Sequence, residues 1–332
     1  MVYFSSPEYV ARHQFGATLV MQNMIKDADS LTKQLQRLQQ LSAIGVITAI
    51  DQEGGRVNRL KQLPGWKTIP SASEQSAWKP EKIQPYQSKV AARLQSMGLN
   101  LNLAPVLDPM QDKNGNPSLM GIKQRSFGQT PYTIATNAAA FVDAYKTHGI
   151  LTVSKHFPGY DVASNSDHEI AISHSPREEI QDYVQPFWAL APIVDGVMLS
   201  SIQYNSLSNR PAVLSPEIVS WAREIHPEKI IITDDLWGRA LRAWINPVSV
   251  KRKKFSDEDF LSLTRMALDA GNDMLMITYP VKAELMKTAI ARWMKEDEQL
   301  NAHVNAAARR ILLAKQKIGL LERQKPLDAL EE

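Results

Sequence analysis

The stretch "ILTVSKHFPGYDVASNSDHE" (Ile150 to Glu169) begins as an apolar run of strand length and ends abruptly in titratable side chains. Lys155 and His156 close the run, Pro158–Gly159 forces a turn, and a loop too rich in turn formers to be a helix then carries Asp161, Asp167 and His168. A strand buried on both faces should be apolar throughout, so ionisable residues confined to its C-terminal end need a reason.

The same pattern recurs outward from this run. Strand candidates are "GATLVM" (Gly16 to Met21), "VITAID" (Val46 to Asp51), "LNLNLAPV" (Leu99 to Val106), "GVMLSS" (Gly196 to Ser201), "KIIITDD" (Lys229 to Asp235) and "DMLMIT" (Asp273 to Thr278). Asp51, Asp108, Ser201, Asp234 and Asp235 lie, like Lys155 and His156, at or just past the end of a run. Helical segments separate the runs. Leu31, Leu35, Leu38 and Leu41 follow a start signal at Asp29–Ser30, and Val304, Ala308, Ile311, Leu312 and Ile318 form a stripe ending at Gly319. Both read as packing faces. Alternating strands and helices with polar strand ends on one side predict an α/β fold, a (β/α)8 TIM-type barrel. An open doubly wound sheet would gather such residues at a switch point and usually show a Gly-rich phosphate loop, and none is present. These runs number seven; the eighth strand is either a degenerate "MVYF" at the start or precedes this chain.

Composition agrees with a folded catalytic or binding domain. The 332 residues are 44% hydrophobic and 22% charged, and no linker or composition shift divides them, so residues 1–332 read as one domain. A formal charge of +3 gives no reason to expect nucleic acid as a partner. The local exception, "KRKK" (Lys251 to Lys254), precedes a helix start at Ser256 and Asp259 and reads as a solvated loop. With no cysteine, thiolate chemistry and disulfides are excluded. No run approaches the roughly 18 apolar residues of a membrane span, and "MVYFSSPEYV" lacks the order of a signal peptide, which predicts a cytoplasmic protein, or a periplasmic one whose targeting segment is absent from this chain.

Four constellations carry candidate chemistry. In "AIDQEGGRVNRL" (Ala49 to Leu60), Asp51 can accept two hydroxyl hydrogen bonds, or cap a helix, or pair with Arg56; Gly54 and Gly55 allow a sharp turn or close approach of backbone to a ligand. Around Lys155 and His156, the loop histidine His168 beside Asp167 is a candidate acid/base. In "IIITDDLW" (Ile230 to Trp237), successive side chains alternate, so one carboxylate of Asp234 and Asp235 faces the barrel axis while the other supports it or caps a helix. In "IKQRSFG" (Ile122 to Gly128), Arg125 can clamp a substrate oxygen or neutralise Asp108 or Asp51. Metal is disfavoured, since His156 and His168 are twelve apart without a helical pair.

The ordered set "IDQEGGRV", "LAPVLDP", "QRSFG", "KHFPG" with a following "DH", "RPAVLSP", "ITDDLW", "AGNDML" and "AARRILLAKQKIGL", spanning Phe15 to Leu320, resembles glycoside hydrolase family 3, in particular its single-domain β-N-acetylhexosaminidase branch acting on cell-wall muropeptides. The resemblance implies a retaining exo-β-N-acetylglucosaminidase without a cofactor, a monomer whose partner is a carbohydrate. It implies Asp234 as nucleophile and His168 as acid/base, working in the family with an aspartate two residues before it. Asp51, Arg125, Lys155 and His156 fall on sugar-binding positions. The chain departs from the pattern in three places: Ser166-Asp167-His168 stands for Asp-Ser-His, "GYD" (Gly159 to Asp161) for "GHG", and Ser201 for a histidine. Rival expectations are a sugar-binding barrel with impaired catalysis and a β-glucosidase-like exo-glycosidase of the same family.

Overall fold

The computed structural model describes residues 1–251 and 254–321. Among the described residues there are ten short strands: β1 (Val2–Tyr3), β2 (Ala17–Val20), β3 (Ile47–Ile50), β4 (Leu101–Asn102), β5 (Leu151–Phe157), β6 (Ile172–Ser173), β7 (Gly196–Leu199), β8 (Gln203–Tyr204), β9 (Ile230–Asp235) and β10 (Met274–Met276). Eight of them form one sheet in the order β1-β2-β3-β4-β5-β7-β9-β10, every neighbouring pair parallel. The sheet closes where Val2 bridges Ile277, with Tyr3 N donating to Ile277 O at 3.1 Å and Ile277 N to Met1 O at 3.0 Å. "MVYF" is therefore the eighth barrel strand, two residues long because its neighbours β2 and β10 supply the partners it needs. Parallel β6 and β8 form a separate ribbon joining the segments after β5 and β7.

Side-chain alternation sorts the core into two layers. Ala17, Leu19, Ile47, Ala49, Leu101, Leu103, Leu151, Val153, Met198, Ile230, Ile232, Met274 and Met276 fill the barrel interior. The intervening residues face outward into a second core with the helices, exemplified by Val20, Ile50, Val197 and Ile231. The leucine stripe behaves as the spacing predicts: the helix Ala28–Leu41 buries Leu31, Leu35 and Leu38. Its cap is Asp27, whose carboxylate accepts Ser30 N at 2.7 Å, two residues before the signal at Asp29. Ser256 caps Asp257–Asp269 in a reciprocal box with Asp259, as the sequence suggests. The C-terminal helix Glu298–Lys317 is packed less completely than its stripe predicts, since Ala308 and Leu312 are exposed. Of the run Lys251 to Lys254, Lys251 ends the short helix Pro247–Lys251, Lys251 and Lys254 are exposed, and Arg252 and Lys253 lie outside the described residues. Among the described residues no helix is long and apolar enough to cross a membrane.

Ile232 is fully buried in the barrel interior, where neighbouring strands leave little room to collapse into a void. Ile232→Ala should therefore destabilise the fold by about 2–5 kcal/mol, read as a lowered urea midpoint at unchanged slope.

Candidate active site

The interior alternation fixes where function can sit. Continuing the inward positions Leu19, Ala49, Val153, Ile232 and Met276 by two residues reaches Met21, Asp51, Lys155, Asp234 and Thr278. All five line one cavity of about 320 Å³ at the C-terminal mouth of the barrel. Two further lining residues, His156 and Asp235, break the alternation. The pairing of β5 with β7 shifts register between Lys155 and Phe157, and that of β9 with β10 shifts at Asp235–Met276. Irregular pairing lets adjacent side chains reach the same space, so Asp234 and Asp235 both border the cavity, where strict alternation predicts one.

The two aspartates nonetheless differ in employment. Asp235 accepts Thr278 N at 3.0 Å, Thr278 Oγ1 at 2.5 Å and Trp237 N at 3.0 Å, tying β9 to β10 and to the turn that follows. Burial pushes its carboxyl above the usual value against those hydrogen bonds. Asp234 receives one donor per oxygen, Asp235 N on Oδ1 at 2.8 Å and Ser201 Oγ on Oδ2 at 3.0 Å. That fixes the plane of its carboxylate. Ser201, at the position where the resemblance leads one to expect histidine, thus holds Asp234.

The floor is a buried charge network. Lys155 Nζ contacts Asp51 and, at 2.6 Å, Glu53; its side chain is 3% exposed. Arg59 Nη2 reaches Asp51 Oδ2 at 2.7 Å. Arg125 grips Glu53 with Nε at 2.7 Å and Nη2 at 2.8 Å, a fork-to-fork pair. Asp51 therefore pairs with Arg59 rather than Arg56, and Arg125 bonds Glu53 rather than Asp108 or Asp51. Burial alone would raise the Asp51 carboxyl, but Lys155, then Arg59 and Arg125, hold it far below the usual carboxylate range. Burial works to lower Arg125, and the Glu53 charge and hydrogen bonds outweigh it and raise it. Glu53 and Arg59 are site residues that the sequence reading passes over. Both stand in "DQEGGRVNRL", past the end of β3, where alternation no longer assigns a facing. The paired glycines serve the turn itself: Gly54 has φ +98° and a Cβ there would meet Pro70 O at 2.3 Å, so the close approach is to chain rather than to ligand.

His156 is fixed by Asp108, which is fully buried and accepts His156 Nδ1 at 2.7 Å, His156 N at 2.9 Å and Tyr160 N at 2.9 Å. From Tyr160 the chain enters the loop. Asp167 lines the cavity together with Asn165 and Ser166, whereas His168 is exposed and is not among the lining residues. Asp161, a candidate partner for His168, is engaged elsewhere, accepting Ser173 Oγ at 2.6 Å and Ser175 Oγ at 2.7 Å. The structure thus brings Asp51, Arg125, Lys155, His156 and Asp234 together at the cavity, with the exposed Asp167 on its rim and the exposed His168 outside its lining. Among the described residues no group of three or more His, Cys, Asp or Glu side chains is placed to hold a metal ion.

A parallel eight-stranded barrel with a charged cavity at the carboxyl ends of its strands is the architecture of a barrel enzyme. Residues 4–314 match the glycosyl hydrolase family 3 N-terminal domain, and the chain belongs to that family. It is 33% identical over 267 residues to a β-hexosaminidase of Pseudomonas aeruginosa, covering 74% of this chain and 70% of that one. Identity to β-hexosaminidase A of Pseudoalteromonas piscicida is 29%, covering 79% of this chain and 47% of the relative; for LpqI of Mycobacterium tuberculosis it is 32%, covering 53% and 45%. The chain thus spans about half the length of those two relatives. Among solved structures, a β-N-acetylhexosaminidase from Beutenbergia cavernae superposes with a TM-score of 0.79 at 26% identity, covering 95% of this chain and 96% of that one.

Two stability predictions follow from the network. Glu53→Gln removes the charge facing Arg125 and Lys155, and breaking a buried pair costs about 3–5 kcal/mol; chemical denaturation should show a loss of that order. Because Asp51 is depressed in the folded chain, its contribution is complete above the ordinary carboxyl value of about 4 and is lost as pH falls below it. Acid titration of stability should therefore be shallower below pH ~4 in Asp51→Asn than in the wild-type chain.

Proposed function

We propose that this chain is a retaining exo-β-N-acetylglucosaminidase that removes terminal β-linked N-acetylglucosamine from cell-wall-derived glycans. The observation that carries it is Asp234: an inward carboxylate at the end of a barrel strand, held by one donor on each oxygen, above a floor of paired charges. The names of the relatives support the 2-acetamido sugar, and the family match supports glycoside hydrolysis. A cavity of about 320 Å³ lies at the small end of ligand pockets, which suits one terminal sugar.

In this reading Asp234 attacks the anomeric carbon and forms a glycosyl-enzyme, and the loop that carries Asp167 and His168 supplies the acid/base. Asp51, Arg125, Lys155 and His156 bind the sugar hydroxyls, and Arg59 and Glu53 hold them in place. Each charged group of the floor is already paired, so it meets substrate without having to move.

Asp234→Asn should lower turnover of an aryl N-acetyl-β-glucosaminide by at least about 10³-fold, and a fluorinated sugar should trap a covalent adduct on wild-type enzyme, seen as a mass increase. Full turnover by the variant, or no adduct, removes the reading in favour of a sugar-binding barrel. A panel of aryl glycosides tests the sugar: equal rates on 2-hydroxyl and 2-acetamido substrates would indicate the β-glucosidase-like alternative.

A further inference from the structure

The loop offers two proton carriers in adjacent positions, and the structure separates them. Both residues are exposed to solvent, but Asp167 lines the cavity that contains Asp234, and His168, one residue on, does not. This state of the loop is built by the residues at which the chain departs from the family pattern. The Tyr160 hydroxyl donates to Ser164 O at 2.6 Å and accepts from Ser166 N at 2.9 Å, closing the chain around the tyrosine. Ser166, where the resemblance leads one to expect the aspartate of an acid/base dyad, is thereby buried, and it presents no carboxylate. Asp167 N in turn donates to Asn165 Oδ1 at 2.9 Å, completing a tight turn that sets Asp167 on the cavity side. Tyr160 itself cannot drift, since its backbone N is held by Asp108 and its ring stands edge-on to His156 with centroids 5.9 Å apart. Tyr204 Oη fixes the preceding residue through Gly159 O at 2.6 Å, and Asp161 pins the far end of the loop through Ser173 and Ser175.

We propose that Asp167 is the residue that transfers the proton, so that this chain runs its hydrolysis with two carboxyl groups, Asp234 and Asp167, and that Tyr160 is the positioning residue that turns Asp167 inward. This rests on the functional reading above. In the first step the protonated Asp167 carboxyl gives its proton to the glycosidic oxygen as an Asp234 oxygen bonds to the anomeric carbon and the carbon–oxygen bond breaks, releasing the leaving group as an alcohol. In the second, the Asp167 carboxylate takes a proton from water as that water attacks the anomeric carbon and frees Asp234. Proton and electron count close over the cycle with water as the only co-reactant.

The surroundings favour the protonated form at the outset. Burial, then the charge of Asp234, raise the Asp167 carboxyl above its usual value, while Arg125, His156 and His168 pull it down by less. Tyr160, pushed up to about 12 chiefly by burial, stays protonated beside it and keeps its hydrogen bond to Ser164 O. Forming the glycosyl-enzyme removes the Asp234 charge, so Asp167 becomes easier to ionise just when it must act as base.

The test compares kcat/KM for a 4-nitrophenyl and a methyl N-acetyl-β-glucosaminide across pH, in wild type, Asp167→Asn, His168→Gln and Tyr160→Phe. General acid catalysis is worth roughly 10²–10⁴-fold, and a good leaving group needs little of it. Asp167→Asn should therefore lose about that factor on the methyl glycoside, far less on the nitrophenyl one, and lose the alkaline limb of the pH profile. Tyr160→Phe should lose the methyl substrate preferentially through kcat at nearly unchanged KM, a split that simple destabilisation would not produce. Any loss in His168→Gln should fall equally on both substrates. Leaving-group dependence confined to His168→Gln, or equal in the two loop variants, overturns the assignment while leaving the glycosidase reading intact. A wild-type chain that turns over neither substrate overturns both.

Discussion

The Lys155 ammonium is almost wholly withdrawn from water, and it can be so only because two carboxylates meet it there. That requirement fixes more than one side chain. Asp51 comes from the end of β3, Glu53 from the turn after it, Lys155 from β5, and Arg59 and Arg125 from two separate loops. The network therefore ties the ends of β3 and β5, on either side of β4, to two loops, and removing Asp51 or Glu53 strands the arginine it pairs, Arg59 or Arg125. A rigid floor of this kind gives the cavity a fixed shape while loops above it vary.

Much of the barrel is legible in the sequence because burial on both faces leaves a plain signal. Runs such as Ile230 to Thr233 are apolar or β-branched throughout, and the polar residue that ends each run marks the mouth. β1 is the instructive exception. Two residues, Val2–Tyr3, cannot show periodicity, and they are a strand only because β2 and β10 stand on either side with unpaired edges. Tertiary context supplies what local pattern lacks.

The site is legible to the same depth and no further. Alternation places Asp51, Lys155 and Asp234 correctly, since each is an even step from a buried interior residue. It fails for His156 and Asp235, where pairing shifts register, and it says nothing about Glu53, Arg59 and Tyr160, which sit past strand ends. Arg125 shows the limit most clearly. Its presence near the site is suggested by its place a loop after Asp108, yet the choice among Asp51, Asp108 and Glu53 depends on loop geometry that no spacing encodes.

The three departures from the family pattern fall within one connected region, which bears on whether they mark decay or adjustment. Simple loss would leave the substituted side chains without partners. Instead Ser201 bonds Asp234, Tyr160 closes the loop through Ser164 and Ser166, and Asp161 accepts two serine hydroxyls. Of the buried polar atoms in and beside the site without a hydrogen-bond partner, Arg59 Nε and Gln52 Nε2 belong to the segment after β3 and Asp161 Oδ1 to a departing residue. Its carboxyl is correspondingly pushed upward by burial, with Ser173 and Ser175 opposing. Tyr160, Asp161 and Ser201 thus each have side-chain hydrogen bonds of their own, which is adjustment of the region rather than simple loss.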